Sequence, residues 1–284
     1  MDRQPAYFSI DLDNLWAYLK ANGDSSWNTY PTYMTTFLPH FLSLLKQHNL
    51  HITFFLVGQD AQMEQHQDLF KEIVANGHTI ANHSFSHSPH FHKLSKQQLE
   101  EEILRAEESI HRATGIRTVG FRAPCFAHSK TLIDILGALN YSYDSSTLPT
   151  FIAPLARLKG CQIQGSLTKN TFHQQQNIQE YPVTTLPFFR TPFHMSYLVY
   201  LYSFSPKVMR TYLKIALKLC QATKTPPNFL LHPTDFLSTQ EAPQLSFFPG
   251  MTLSAEIKTS LFHEVIDTFK HNYCLKPLQE ALHV

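Results

Sequence analysis

The chain has 284 residues, with 23 Lys and Arg against 22 Asp and Glu, a formal net charge of +1 when its 17 histidines are neutral. So small a cationic surplus excludes a strong nucleic-acid or anionic-membrane footprint from overall charge at pH 7. Hydrophobic residues at 43% and aromatics at 13% suffice for a large core and argue against disorder, and one domain over 1–284 is the expected plan.

In chain order, residues 7–13 read as a first strand, and apolar residues at Phe37, Leu38, Phe41, Leu44 and Leu45 recur at helical spacing. Residues 51–57 read as a buried strand, 67–76 as a helix ending before Gly77, and 79–82 as a short strand. A helix over 96–114 is signalled at both ends, by the Ser95 and Gln98 capping box and by Gly115. Strands at 118–122 and 142–144 flank a helix at 130–139. The pattern dissolves into loops or an insertion over 145–180. It returns as a strand at 181–185, a helix at 207–223, a strand at 229–232 and a helix at 255–272. Seven strand candidates alternating with helices predict an α/β fold, barrel-like and mainly parallel.

Four cysteines, Cys125, Cys161, Cys220 and Cys274, form no Cys-x-x-Cys pair, so neither a thiolate zinc site nor a disulfide framework is signalled, and a reducing compartment fits. The residues before the first strand leave no room for a leader, so no secretory signal and a cytosolic location are expected. The apolar stretch 188–204 is broken by Arg190, Pro192 and His194 and is too short to span a bilayer. Its aromatic-rich part, 195–202, reads either as a core helix or as a lid or interfacial surface that touches a membrane. Trp16, Tyr18, Trp27 and Tyr30 either stack on sugar rings or pack in a loop.

Asp11 and Asp13 lie two apart at a strand end, which puts both carboxylates on one face, although Asp also serves turns there. His83 and His87 have a spacing that lets two imidazoles share a metal, yet about one such pair is expected by chance among 17 histidines. Their position lifts them above chance, because they follow the third strand and open at the same barrel end as the aspartates. Arg122 ends the fourth strand and suits a buried carboxylate or a surface ion pair. His232 ends the last strand, as a functional or a core histidine.

Together, Ser9-Ile10-Asp11-Leu12-Asp13, Asn82-His83-Ser84-Phe85-Ser86-His87, Phe121-Arg122-Ala123-Pro124-Cys125-Phe126, Tyr143-Asp144-Ser145-Ser146 and Leu230-Leu231-His232-Pro233 resemble, in order, the motifs of the polysaccharide deacetylases with the NodB-homology domain. The resemblance implies a distorted (β/α) barrel of about seven strands and metal-dependent hydrolysis of an N-acyl amide. It implies Asp13, His83 and His87 as ligands of a divalent ion, taken as Zn2+, with Asp11 as general base. It implies Arg122 holding Asp11 ionised, His232 as general acid, and Asp144 as the carboxylate that tunes it. The oxyanion site would be the turn Pro124, Cys125 and Phe126, through the backbone N–H of Cys125. Leu12 between the aspartates departs from members with adjacent aspartates and resembles a branch with allantoinase-like and lipid-sugar-processing members. The expected substrate is an N-acylated, lipid-linked or nucleotide-linked sugar. A cyclic-amide hydrolase and a non-catalytic glycan- or lipid-binding module are the alternatives.

Overall fold

The computed structural model describes residues 3–150, 161 and 169–283. Nine strands are found among them: β1 (Gln4–Asp11), β2 (Thr53–Leu56), β3 (Thr79–Asn82), β4 (Gly120–Phe121), β5 (Tyr143–Asp144), β6 (His173–Gln175), β7 (Ile178–Glu180), β8 (Asn228–Leu231) and β9 (Tyr273–Pro277). They form one curled sheet in the order β6-β7-β5-β4-β3-β2-β1-β8, with β9 also on β1. All pairs are parallel except the β6-β7 hairpin. β1 pairs with β8 on one side, and on the other with β9 at its start and β2 at its end. Its buried residues run unbroken from Ala6 to Asp11, as a strand covered on both faces requires.

The helices are α1 (Leu15–Asn22), α2 (Met34–Gln47), α3 (Gly58–Gln62), α4 (Glu64–Ala75), α5 (Lys96–Thr114), α6 (Lys130–Ala138), α7 (Met195–Phe204), α8 (Pro206–Ala222) and α9 (Ala255–Asn272). The Ser95 and Gln98 capping box and the left-handed Gly115 bound α5 as the sequence predicts. No helix of the described residues is long and apolar enough to cross a membrane.

The distorted barrel is therefore present, with three departures from expectation. Residues 181–185 form no regular strand. Pro182 has no N–H for a ladder, and the segment spans the gap between β5 and β8 by single bonds: Tyr181 N–H to Asp144 O at 2.8 Å, Val183 N–H to Thr147 O at 2.9 Å, and Thr184 N–H to Asn228 O at 3.1 Å. The expected loop region 145–180 contains β6 and β7, whose turn uses Gln176 at φ 55; 151–160 and 162–168 lie outside the described residues. The third departure is β9, which follows α9 directly. At β4, Gly120 is required because a Cβ there would lie 1.9 Å from the Tyr143 ring.

Several of the many histidines are buried and neutral. Burial, with His51 beside it, lowers the pKa of His78 to about 4, and its Nδ1 accepts the Ile52 N–H at 3.3 Å, which a protonated ring cannot do. The unfolded chain therefore binds a proton that the folded chain refuses between about pH 6.5 and 4, and this group's contribution to stability is lost as pH falls through that window. His78→Asn should flatten the dependence of urea stability on pH there by about 1 kcal/mol per pH unit relative to wild type.

Candidate active site

Strand ends and the turns after them supply the polar residues. Asp11 is the last residue of β1, and Asp13 follows two residues later on the same face. Asn14 caps α1 by accepting the Leu15 N–H at 2.8 Å, while its amide donates to Asp60 Oδ1 at 2.7 Å and to Thr32 Oγ1 at 2.9 Å. The Tyr33 hydroxyl donates to the Asp13 carbonyl. Trp16 is buried and donates to Asp60 Oδ1 at 3.0 Å, so it braces this turn and does not offer a sugar platform. Trp27 and Tyr30 pack at its edge, whereas Tyr18 lines the pocket. Burial raises the Asp60 carboxyl to about 7 despite these donors.

Beyond β3, Ser84 and His87 adopt left-handed backbone (φ 62 and 44), and the turn brings both imidazoles to Asp13. His83 Nε2 lies 3.4 Å and His87 Nε2 3.1 Å from Asp13 Oδ1. His83 Nδ1–H donates to the Arg122 carbonyl at 2.6 Å, which leaves the Nε2 lone pair facing Asp13. Asp13 Oδ1 is buried with no hydrogen-bond donor. Two imidazole nitrogens against an unsatisfied carboxylate oxygen need a shared cation, a proton or a metal. Burial opposes charge on both His83 and Asp13, yet the carboxylates of Asp11 and Asp13 outweigh it to raise the His83 pKa, and the imidazoles hold Asp13 well below the carboxylate range. The three donor atoms lie within 4.8 Å of one another, and this two-His, one-carboxylate set fits a divalent ion.

Arg122 is fully buried. Its Nη1 donates to Asp11 Oδ1 at 2.6 Å and to Ser9 Oγ at 3.1 Å, its Nε and Nη2 reach Ser145, and its guanidinium lies 4.0 Å over the Phe55 ring. His232 Nε2 faces the other Asp11 oxygen at 3.8 Å. Asp144 does not meet His232. Its Oδ1 accepts from Ser146 Oγ at 2.5 Å, its Oδ2 accepts from Ser146 N–H at 3.2 Å, and it lies against the buried Glu180. Burial and the Asp144 charge push the Glu180 carboxyl well above its usual range, and His128 completes that group. The carboxylate beside His232 is instead Asp235, whose Oδ2 accepts the His232 N–H at 2.8 Å, with Ser196 Oγ 3.2 Å from His232 Nδ1. His194, which sequence reasoning missed, also lines the pocket, and burial plus the nearby His232 lowers its pKa to about 3, leaving it neutral.

Asp11, Asp13, His83, His87 and His232 open into one pocket, whose walls include Cys125, Phe126 and Tyr197. Cys125 and Phe126 have φ 55 and 54, while Pro124, which has no N–H, is buried behind them. Cys125 is bonded to Cys161, across 36 residues. This single bond is one that the cysteine spacing does not signal.

Two measurements bear on this arrangement. Arg122→Gln, which strands Asp11 as a buried anion, should cost about 3–5 kcal/mol in urea unfolding. Thiol titration of the unfolded, unreduced chain should find only Cys220 and Cys274, the free pair, with Cys125 and Cys161 appearing after reduction.

Residues 20–143 match the family profile described as polysaccharide deacetylase. That stretch includes His83, His87, Arg122 and Cys125 but not Asp11, Asp13 or His232. A peptidoglycan-N-acetylglucosamine deacetylase of Bacillus cereus is 38% identical over 88 residues, 31% of this chain and 31% of that one. A chitin deacetylase of Colletotrichum lindemuthianum is 30% identical over 125 residues, 43% of this chain and 50% of that one. The matched stretches thus span half or less of these relatives. Among solved structures, a family 4 carbohydrate esterase from Streptomyces lividans, in complex with acetate, superposes with a TM-score of 0.51 at 16% identity, covering 97% of this chain and 93% of that one. A CE4 family pseudoenzyme from Bacillus anthracis does so at 0.52 and 13%, covering 99% and 66%. Superpositions at such identities speak for the fold alone, and they agree with the curled barrel, while over residues 20–143 the chain is similar to the polysaccharide deacetylases.

Proposed function

We propose that this chain is a metal-dependent N-deacetylase that hydrolyses the N-acyl amide of an amino sugar carried on a lipid-linked or nucleotide-linked precursor. The observation that carries the reading is the convergence of Asp13, His83 and His87 beside an Asp11 paired to Arg122, with His232 across the same pocket. A divalent ion held by Asp13, His83 and His87, proposed as zinc, supplies a Lewis acid and a more acidic bound water.

The remaining roles follow from the chain's own residues. Arg122 holds Asp11 Oδ1, which leaves Asp11 Oδ2 to take the proton of the attacking water. His232 Nε2 faces the same pocket and hands a proton to the departing amine, with Ser196 Oγ beside its Nδ1 and Asp235 holding its backbone N–H. The backbone N–H of Cys125 is the proposed oxyanion donor. Pocket walls of Tyr18, Phe126, Leu148 and Tyr197 suit an apolar portion of the substrate beside the sugar. A cytosolic location, the expectation from sequence, requires the Cys125–Cys161 bond to be open there.

Acetate release from N-acetylated glycans, nucleotide-linked sugars and lipid-linked sugars should be abolished by chelator and restored by zinc. Asp11→Asn should lower kcat about 10²–10⁴-fold without loss of bound metal, and His83→Gln should lose the metal. Chelator-resistant turnover, or turnover confined to a cyclic amide in the same panel, would overturn the proposal.

A further inference from the structure

Residues 181–234 contain no Asp or Glu, but six cations, Arg190, Lys207, Arg210, Lys214, Lys218 and Lys224, within a chain of net charge +1. The same segment carries the most exposed phenylalanines among the described residues: Phe188 at 78%, Phe189 at 66% and Phe204 at 70%. We propose that this face is a docking surface for an anionic lipid bilayer, set at the rim of the pocket.

Contacts in three places assemble it. The chain reverses between Leu186 and Thr191, with Leu186 N–H donating to Thr191 O at 2.8 Å, and so carries Phe188 and Phe189 at an exposed tip. Along α7, ring contacts run from His194 to Tyr197 at 6.4 Å, to Tyr200 at 6.1 Å and to Phe204 at 4.8 Å. His194, Tyr197 and Tyr200 line the pocket, so this aromatic row leads from the site to the exterior. Tyr212 of α8 ties the parts together: its hydroxyl donates to Pro192 O at 2.7 Å, and its ring meets Tyr197 at 5.4 Å.

At 100° per residue, α8 turns Lys207, Lys214 and Lys218 to one exposed side, and the exposed Val208 and Ile215 fall between those lysines and Tyr212. Arg210 lies on the far side of the lysines, paired with Glu264 at 2.6 Å. Apolar tips flanked by cations, with no acid in the segment, match an anionic interface, where insertion and charge attraction add. A protein partner would be matched by mixed charge at the rim. Docked this way, the pocket opens at the bilayer, where a lipid-linked sugar lies. That orientation rests on the proposed function, but the docking itself does not.

The full chain should sediment with vesicles of phosphatidylcholine mixed with phosphatidylglycerol, much less with phosphatidylcholine alone, and should be released by salt. Replacing Lys207, Lys214 and Lys218 by Gln should weaken binding roughly fivefold per cation. Phe188→Ser, Phe189→Ser and Phe204→Ser together should also weaken it, with the circular dichroism spectrum and turnover of a soluble N-acetylated oligosaccharide unchanged. Absence of vesicle binding by the folded chain, binding indifferent to lipid charge, or a dimer in light scattering that the Phe variant dissociates without any vesicle binding would overturn the proposal. A chain that binds vesicles yet releases no acetate would instead remove the proposed function and leave the docking surface standing.

Discussion

The buried ion pair between Arg122 and Asp11 is the contact on which the site depends. Bringing a guanidinium to zero exposure carries a desolvation cost of several kcal/mol, and the pair is tolerable only because every arm of Arg122 is used. Nη1 serves Asp11 and Ser9, Nε and Nη2 serve Ser145, and the flat face lies on Phe55. A lysine could supply the charge, but it lacks the planar fork that ties β1, β4 and the turn after β5 together. The carbonyl of the same residue accepts the His83 Nδ1–H, which selects the tautomer that presents Nε2 to Asp13. One residue thereby holds the proposed base in place and fixes the lone pair of one proposed ligand.

Around that pair the site is mixed in polarity. The carboxylates of Asp11 and Asp13 line one part of the pocket, and the imidazoles of His83 and His87 face them. His194 also lines the pocket and is kept neutral by burial and the nearby His232. Tyr197 and Tyr200 add an aromatic part to the same lining. Electrostatic interactions strengthen as water is excluded, so an aromatic lining in the same pocket intensifies the fields of the proposed base and acid.

Much of this was legible in the sequence because strand ends are local features. Asp11, Asp13, His83, His87, Arg122 and His232 each follow a run with strand or buried patterning, and parallel strands bring their ends to one side of a barrel. Asp144 lies away from His232 because a carboxylate two residues before Ser146 is captured by its own turn. Asp235 was readable, since His232-Pro233-Thr234-Asp235 places a proline and an acid at the first and third positions of a short helical turn, a local capping signal. The β6-β7 hairpin escaped because its polar alternation and its Gln176-Asn177 turn lack the usual glycine. The Cys125–Cys161 bond had no sequence signal at all, as its partners meet only through the tertiary fold.

The charge of the chain shows the same division between local and global information. A net charge of +1 excludes a global field that would draw the molecule to an anionic surface. It does not constrain how the charges are partitioned, because screening over about 8 Å at physiological salt makes each face respond to its own charges. Residues 181–234 hold six cations and no acid, so the rest of the chain must carry a net negative charge. A molecule built this way is close to neutral at long range and polarised at contact. Near a charged surface such a distribution governs orientation more than attraction, and here the cationic face is the one that bears the exposed phenylalanines and the mouth of the pocket.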